Sequence, residues 1–491
     1  MVSFPFLVLS TFLLLGERTA ITTTEAWLSP SSLHHRSTSA STVAIGIGQT
    51  KQTYLRVQST ESSSESGSGS SSSGTNDYNV VLRPSEDASA FDSFKIGAAR
   101  VHRYARDDSD GDSEYVMWYH GRNHELDNTT PQIPPLSTGR IGRATSRNGL
   151  HWERNTVGSE SETEDIDGVS LGLNKESWWG FDTAHVGLGQ VLLPMSTPAV
   201  MTEGGVYLMY YMGGSFEETN IGKYLDKELP EGMAEKKIAG MNMKIGVALS
   251  QDGISFGRVE GDDPTGAIMA PYDASDPNMK YILQLRDDDG SRLDIPEELY
   301  CAWPEVAVND LPEDTREEKK MKSFYMYYST MLKSTKEKAI AFAVSEDGFR
   351  WFKRGLCVVP EEGTLDAGGC ARCNVLRKAK YDEDNGTWRN DNGWIMLYEG
   401  VSKEDGKHRI MAAESDDLRN WSKIGVALNV GEDGAWDSDG VGAPHVLRLD
   451  DGTSRMYYTG QSKDGSTSIG VAKSIDDIEF SREQAQFSFS T

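Results

Sequence analysis

From Tyr78 onward, short apolar runs, each closed by a serine, recur along the chain. The five copies are Ile141-Gly-Arg-Ala-Thr-Ser146, Ile245-Gly-Val-Ala-Leu-Ser250, Ile340-Ala-Phe-Ala-Val-Ser345, Ile410-Met-Ala-Ala-Glu-Ser415 and Ile469-Gly-Val-Ala-Lys-Ser474. After each serine comes a turn pair (Asn148-Gly149, Asp252-Gly253, Asp347-Gly348, Asp416-Asp417, Asp476-Asp477) and then an aromatic residue opening another strand-like stretch (Trp152, Phe256, Trp351, Trp421, Phe480). Asn-Gly and Asp-Gly accept the positive φ that tight hairpin turns demand, so the pattern predicts antiparallel hairpins. Upstream of each copy lies an aromatic strand: Tyr115-Val-Met-Trp-Tyr119, Tyr207-Leu-Met-Tyr-Tyr211, Phe324-Tyr-Met-Tyr-Tyr328, Trp394-Ile-Met-Leu-Tyr398 and Met456-Tyr-Tyr458. These residues favour a buried, pleated surface.

A fourth segment precedes each aromatic strand. Asp92, Asp182, Glu297, Asp366 and Asp437 each stand nine positions before a valine: Val101, Val191, Val306, Val375 and Val446. Position five after the acid is always Gly or Ala (Gly97, Gly187, Ala302, Ala371, Gly442), and position eight is polar but different each time: Arg100, Gln190, Glu305, Asn374 and His445. Alternate side chains of a strand face opposite ways, so a fixed apolar position beside a variable polar one predicts core on one side and a channel on the other. Four short strands per unit and five units predict an all-β, five-bladed β-propeller spanning 78–491, with the first strands around a central channel. A solenoid fits less well, because acid-to-acid spacings of 90, 115, 69 and 71 residues suit blades with loops of differing length. Each unit reads as one contiguous stretch, so closure by an N-terminal strand is not required, although 79–83 can pair at an edge. The inserts 213–243 and 262–299 carry Leu and Met at helix-like spacing and predict helical loops, either solvated surface or a lid.

The net charge of −26 argues against partners gripped through phosphates, whether nucleic acid or anionic lipid. Four cysteines in 491 residues exclude a disulfide framework. Cys370 and Cys373 have CxxC spacing, which a redox or zinc site would share, but they occupy repeat positions filled elsewhere by small or apolar residues, so buried thiols are expected and no metal or cofactor. The first 26 residues read as a signal peptide, with an apolar run over 4–15 too short to span a bilayer. Residues 27–60 hold no Asp or Glu and abound in Ser and Thr, and a Ser/Gly tract follows to 74. The segment 27–77 therefore reads as a plastid transit segment with a disordered linker, behind a bipartite presequence; plain secretion with a stalk is the alternative.

The repeated Phe/Trp-Asp, Pro-x-Val, Tyr-Tyr-x-Gly and Ile-Gly-Val-Ala-x-Ser-x-Asp-Gly-x-x-Trp elements, best seen at Trp436-Asp437 through Pro444-His445-Val446, resemble the five-bladed propeller glycosidases: arabinanases, β-xylosidases, invertases and levansucrases. The resemblance covers 79–485 and implies a carbohydrate as substrate or ligand in the channel. Members similar to arabinanases carry three catalytic acids at places that here hold Ala98, Gln190 and Ala302, so that set is not carried over. Trp303-Pro304-Glu305-Val306 is similar to the family's Trp-Ala-Pro-Asp-Val segment, one blade late.

Inverting hydrolysis needs an acid and a base carboxyl roughly 6.5–9.5 Å apart. Glu305 is the one acid of the polar ring, and burial would raise its pKa as an acid catalyst requires. Its partner would be Asp182, Asp92, Asp439 or Glu399, although recurrence of the aspartates also suits a structural role. A phosphorylase needs one acid plus cations, and Arg100, Arg372, His185 and His445 are candidate phosphate contacts. Trp303 and Tyr300 are candidate sugar platforms, Gln190 and Asn374 candidate hydroxyl partners, and His120 stands at a variable polar position after an aromatic strand. The expected function is glycoside processing by a hydrolase or transglycosylase. The alternatives are a phosphorylase-like enzyme and a non-catalytic glycan-binding or scaffolding propeller.

Overall fold

The computed structural model describes residues 79–105, 113–123, 139–155, 168–195, 205–224, 232, 234–276, 290–291, 293–318 and 321–482. The leader, the transit segment and the linker expected over 1–77 lie outside them. The described chain is almost wholly β; helix is confined to one short α-helix, Glu313–Glu318, and one 3-10 turn, Ile221–Lys223. No helix among the described residues is long and apolar enough to cross a membrane.

The strands form five antiparallel groups in chain order, numbered I to V. Group I holds Lys95–Ala105, Ser113–Arg122, Arg140–Ser146 and Glu153–Arg154, with Val169–Leu171 also on its third strand. Group II holds His185–Met195, Val206–Gly214, Met243–Ser250 and Gly257–Val259; group III holds Glu298–Val308, Phe324–Leu332, Lys338–Ser345 and Phe352–Val358. Group IV holds Gly369–Asp382, Thr387–Val401, His408–Ser415 and Ser422–Leu428. Group V holds Gly440–Arg448, Ser454–Gln461 and Thr467–Ser474, and its fourth strand is Val80–Leu82 from the start of the described chain. A single parallel bridge, His408 to Gly440, joins groups IV and V into one eight-stranded sheet. Successive first strands touch in chain order, and Gly440–Arg448 touches Lys95–Ala105.

The strand pairing bears on two expectations. The segment 79–83 does pair at an edge and completes group V: Val80 and Leu82 pair with Gly470 and Ile469, whereas the β pairing around Phe480 is limited to the bridge Lys473–Ser481. Asn79 fixes this edge strand, its amide donating to the Tyr458 hydroxyl at 2.7 Å and its Oδ1 accepting from Trp436 Nε1 at 3.0 Å. The described parts of the two inserts hold no α-helix. In the first, Thr219–Asn220 pairs with Lys237–Ile238, and Ile221, Tyr224, Ile238, Met241 and Met243 bury against Met212, Leu299 and Met331. Tertiary burial, with Gly222 and Gly240 interrupting, overrides the local helical spacing.

Each turn of the repeat has a visible cause. The serine Oγ accepts the N–H three residues on (Gly149, Gly253, Gly348, Leu418 and Asp477, at 2.9 to 3.1 Å), and these five residues take φ between 63° and 81°. Asn148, Asp252, Asp347, Asp417 and Asp476 bind the next two N–H groups, so the serine and the Asx together close the loop. The aromatic strands tie neighbouring groups: Trp118 Nε1 donates to Gly253 O, Tyr210 to Gly348 O, Tyr327 to Leu418 O and Tyr457 to Gly149 O. Leu397 holds the equivalent place in group IV, at the junction that carries the His408–Gly440 bridge instead.

The recurring acids are staples. Asp92 accepts from Tyr119 and Arg154, Asp182 from Tyr211 and Arg258, Asp366 from Tyr398 and Lys423, and Asp437 from Tyr458 and Arg482, all at 2.6 to 2.9 Å. Each ties the entry to the first strand to the second strand and to the outer edge of its group. In group III the staple is Glu298, not the Glu297 of the sequence register: Glu298 accepts from Tyr328 at 2.8 Å and from Lys353 at 2.5 Å, while Glu297 pairs with Lys333 at the surface. Burial costs a lone charge far more than a paired one. Glu298→Ala, which strands the buried Lys353, is therefore expected to lower unfolding stability by about 3–5 kcal/mol. Glu297→Ala should stay within about 0.5 kcal/mol. Urea unfolding midpoints of the two variants check this register.

Candidate functional site

Every first strand breaks register a few residues before its repeated valine: between Gly97 and Arg100, Leu188 and Gln190, Ala302 and Glu305, Ala371 and Cys373, and Gly442 and His445. At four of these bulges a non-glycine residue sits in the left-handed region: Ala98 (φ 51°), Trp303 (48°), Arg372 (37°) and Ala443 (48°). That conformation costs an L residue about 1–2 kcal/mol, and a bulge re-aims the side chain it carries. In group II the break falls at Gly189, where a Cβ would meet Pro304 O at 2.4 Å. The freed bulge N–H is taken by the second strand of the preceding group: Ala98 N by Thr459 Oγ1 at 2.9 Å, Arg372 N by Ser329 Oγ at 2.9 Å and Ala443 N by Glu399 Oε2 at 3.2 Å.

The bulges sort the side chains into two layers. Position six (Ala98, Leu188, Trp303, Arg372) lines an open pocket of about 770 Å³, mouth included, while position eight lies beneath it as a closed plug. Glu305, 0 % exposed, accepts from Asn374 Nδ2 at 2.7 Å, Val375 N at 3.1 Å and Gln190 Nε2 at 3.2 Å, and pairs with Arg100 at 3.3 Å. Arg100 also donates to Pro444 O at 3.1 Å, Asn374 Oδ1 accepts from Val446 N at 3.0 Å, and His445 Nε2 donates to Val101 O at 2.9 Å. His102, which the repeat pattern did not single out, extends the plug to Val191 O at 2.8 Å. Burial pushes the Glu305 carboxyl up, against the pull of Arg100, Val375 N and Asn374, and lowers His445 to about 3. The position-eight ring is thus a set of links to the backbone of neighbouring strands, and the pocket floor expected there lies one layer away.

The candidate residues fall out accordingly. Glu305, Arg100, Gln190, Asn374 and His445 belong to the plug, and none of them lines the pocket. Asp92 and Asp182 are occupied as staples. Asp439 is half-buried beside Gly440, and Tyr300 is buried edge-on to Trp303 at 6.5 Å; neither lines the pocket. His185 is buried, donates to Gly240 O at 2.7 Å, and is lowered by burial to about 4. Trp303, Arg372, His120 and Glu399 do line the pocket. So do Lys95, Arg122 and His408, which sequence reasoning missed. His408 stands two residues before its repeated isoleucine, where the other copies hold Gly139, Met243, Lys338 and Thr467, a variable position that marks the same rim.

Charge in the pocket is lopsided. The Arg372 guanidinium lies 4.5 Å over the Trp303 ring and 3.5 Å from Glu399. Glu399 Oε1 meets His408 Nδ1 at 2.6 Å. Burial alone would raise Glu399, but Arg372 and His408 override it and hold the carboxyl at about 2, so it is an anion at neutral pH. Arg122 donates from Nε to His120 Nε2 at 2.9 Å, and burial followed by the Arg122 charge takes His120 well below the usual range. Burial and then Arg372 lower Arg122 to about 10; burial and then Arg122 lower Lys95 to about 8. Neither Lys95 nor Arg122 has a carboxylate within ion-pair reach among the described residues, and Arg372 Nε is buried without a partner. Three cations, Lys95, Arg122 and Arg372, against the one carboxylate Glu399 make the lining electropositive, which attracts anions. No cluster of His, Cys, Asp or Glu among the described residues is arranged to hold a metal, and the four cysteines are free.

No family model and no curated protein matches the chain. Among solved structures, a glycoside hydrolase shares 15 % identity over 83 % of this chain and 93 % of its own, with a TM-score of 0.47. The β-1,2-mannobiose phosphorylase of Listeria innocua shares 14 % over 81 % and 95 %, TM-score 0.47. A family 32 β-fructofuranosidase of Bombyx mori shares 11 % over 81 % and 63 %, TM-score 0.42. All three neighbours are named as carbohydrate enzymes.

Glu305→Gln would leave Arg100 buried without its anion. The variant is expected to lose about 3–5 kcal/mol of stability while sulfate affinity at the pocket stays unchanged. Chemical denaturation and calorimetric titration of the same preparation check the two halves.

Proposed function

We propose that the chain is a five-bladed β-propeller that processes glycosides by phosphorolysis at the pocket bounded by Trp303, Arg372 and Glu399. The observation that carries this reading is the imbalance of charge: one carboxylate, already ionised, faces Lys95, Arg122 and Arg372. Hydrolysis by two carboxylates asks for a protonated and an ionised acid across the bond. Phosphorolysis brings its own nucleophile and asks the protein for cations and one proton carrier.

Each group then has a task. Lys95 and Arg122 hold the phosphate, and Arg372, stacked on the Trp303 indole, clamps it beside the sugar, which lies on the remaining face of that ring. A phosphate oxygen attacks the anomeric carbon, the glycosidic C–O bond breaks, and the departing oxygen takes a proton. His408 is the proton carrier: Glu399 accepts from Nδ1–H, which orients the ring and leaves Nε2 as the atom that passes the proton. The products are a sugar 1-phosphate and the shortened acceptor. Glu399 orients and does not itself give up a proton. A leader that reads as a bipartite presequence supports a plastid setting for this chemistry, with secretion as the alternative.

The test is incubation of the full chain with oligosaccharides, including β-1,2-mannobiose, with and without phosphate. Sugar 1-phosphate should form only with phosphate present. His408→Ala should lower its rate by about 10²–10⁴-fold, the usual weight of general acid catalysis. Equal cleavage without phosphate would identify a hydrolase, and binding without cleavage a glycan-binding propeller; either overturns phosphorolysis.

Lys95 makes the anion site pH-dependent. Its amine is charged below about 8 and neutral above it, so sulfate, which does not titrate in this range, should bind more weakly as pH rises through that value. Lys95→Arg should carry the binding to higher pH. Calorimetric titration from pH 6 to 10 reads the shift, and a flat profile would remove Lys95 from the site.

A further inference from the structure

Outside the pocket, one loop departs from the repeat. The connection entering group II runs from Leu171 to the staple Asp182 and carries Trp178-Trp179-Gly180, whereas the connections from Val358 to Asp366 and from Leu428 to Asp437 are shorter. The only tryptophan in those two is Trp436, which is buried. Trp178 is 89 % exposed and Trp179 41 %, the two most solvent-exposed indoles among the described residues. The loop is nonetheless ordered by its own bonds: Asn174 Oδ1 accepts from Ser177 N at 3.0 Å, Gly180 N donates to Ser177 O at 2.8 Å, and Phe181 N donates to Thr265 O at 3.2 Å. A side-chain pair held open to water on a fixed loop is pre-formed for a ligand rather than left over from packing.

Trp179 also walls a cleft of about 550 Å³ whose other walls include Asn174, Glu176, Glu260 and Thr265, over a floor closed by the Asp182–Arg258 pair. An indole beside carboxylates, an amide and a hydroxyl suits a pyranose chain. Its C–H face covers an aromatic ring, and its equatorial hydroxyls donate to carboxylates and amides around the rim. The rim acids Glu176 and Glu260 disfavour an anionic ligand. This is the reverse of the cation-lined pocket, and the two sites share no lining residue.

We infer that the cleft walled by Trp179, with the exposed Trp178 next to it in the chain, is a second carbohydrate-binding site, separate from the pocket, that holds an uncharged glycan chain. The inference draws on the proposed function only for the choice of probes. In native gels containing laminarin, xylan or β-mannan, the full chain should be retarded by at least one of the three. The double substitution Trp178→Ala, Trp179→Ala should weaken that retardation by about tenfold or more in affinity, as expected for removing aromatic anchors. Glu260→Gln, which leaves the indoles in place, should weaken it less. Sulfate affinity at the pocket should be the same in all of these proteins, so failure of the cleft and failure of the phosphorolytic reading give different results. Equal retardation of the double variant, or no retardation of the unaltered chain by any of the three glycans, overturns the assignment.

Discussion

The break in register near the middle of each first strand is the constraint on which the site depends. A regular strand would alternate strictly, and the polar residue beside the repeated valine would face the channel. The bulge inserts one residue, holds it at positive φ in four of five groups, and rotates the residues beyond it. Trp303 and Arg372 are thereby lifted into the pocket, while Glu305, Asn374 and His445 drop to a layer where every one of them is claimed by a neighbouring backbone. The strain of the left-handed residues is offset by the caps that Thr459, Ser329 and Glu399 place on their N–H groups. Pocket and plug are two products of the same irregularity.

Much of the architecture was legible because it repeats. The Ile-to-Ser strands, the serine-Asx turns and the aromatic strands each appear five times, and each has a local physical cause that a sequence displays. The staples were half legible: recurrence pointed to a structural aspartate, but in group III counting back from Val306 selected Glu297, and only packing shows that Glu298 reaches Tyr328 and Lys353. The pairing of Val80–Leu82 was harder to read, because a three-residue strand carries no periodicity and its partner lies at the other end of the chain.

The site was less legible for a definite reason. Alternation assigns faces only while the register is intact, and the bulge lies between the staple acid and the polar ring, so a count from the acid does not carry across it. Glu305 was chosen as the acid of the channel; it is buried, and its carboxylate meets Arg100, Gln190 and Asn374. Lys95, Arg122 and His408 escaped notice because each sits at a strand end whose repeat equivalents are chemically unrelated, so no column of the repeat singled them out. What the sequence did show was that only one of the five polar-ring positions, Glu305, is a carboxylate.

The strand Val80–Leu82 carries a consequence for how the molecule is made. It is the first strand of the described chain to leave the ribosome, and its partner, Thr467–Ser474, is among the last. Groups I to IV can form in order as synthesis proceeds, but group V waits for both ends, across a loop of nearly the whole chain, whose closure is entropically slow. Until then the outer edge of Thr467–Ser474 has no partner strand, and an unpaired edge is a template for association with other chains. Assembly therefore ends with a pairing that dilution favours and crowding of nascent copies opposes, so the yield of chains with group V complete is a kinetic property of the two ends rather than of the stability of any one sheet.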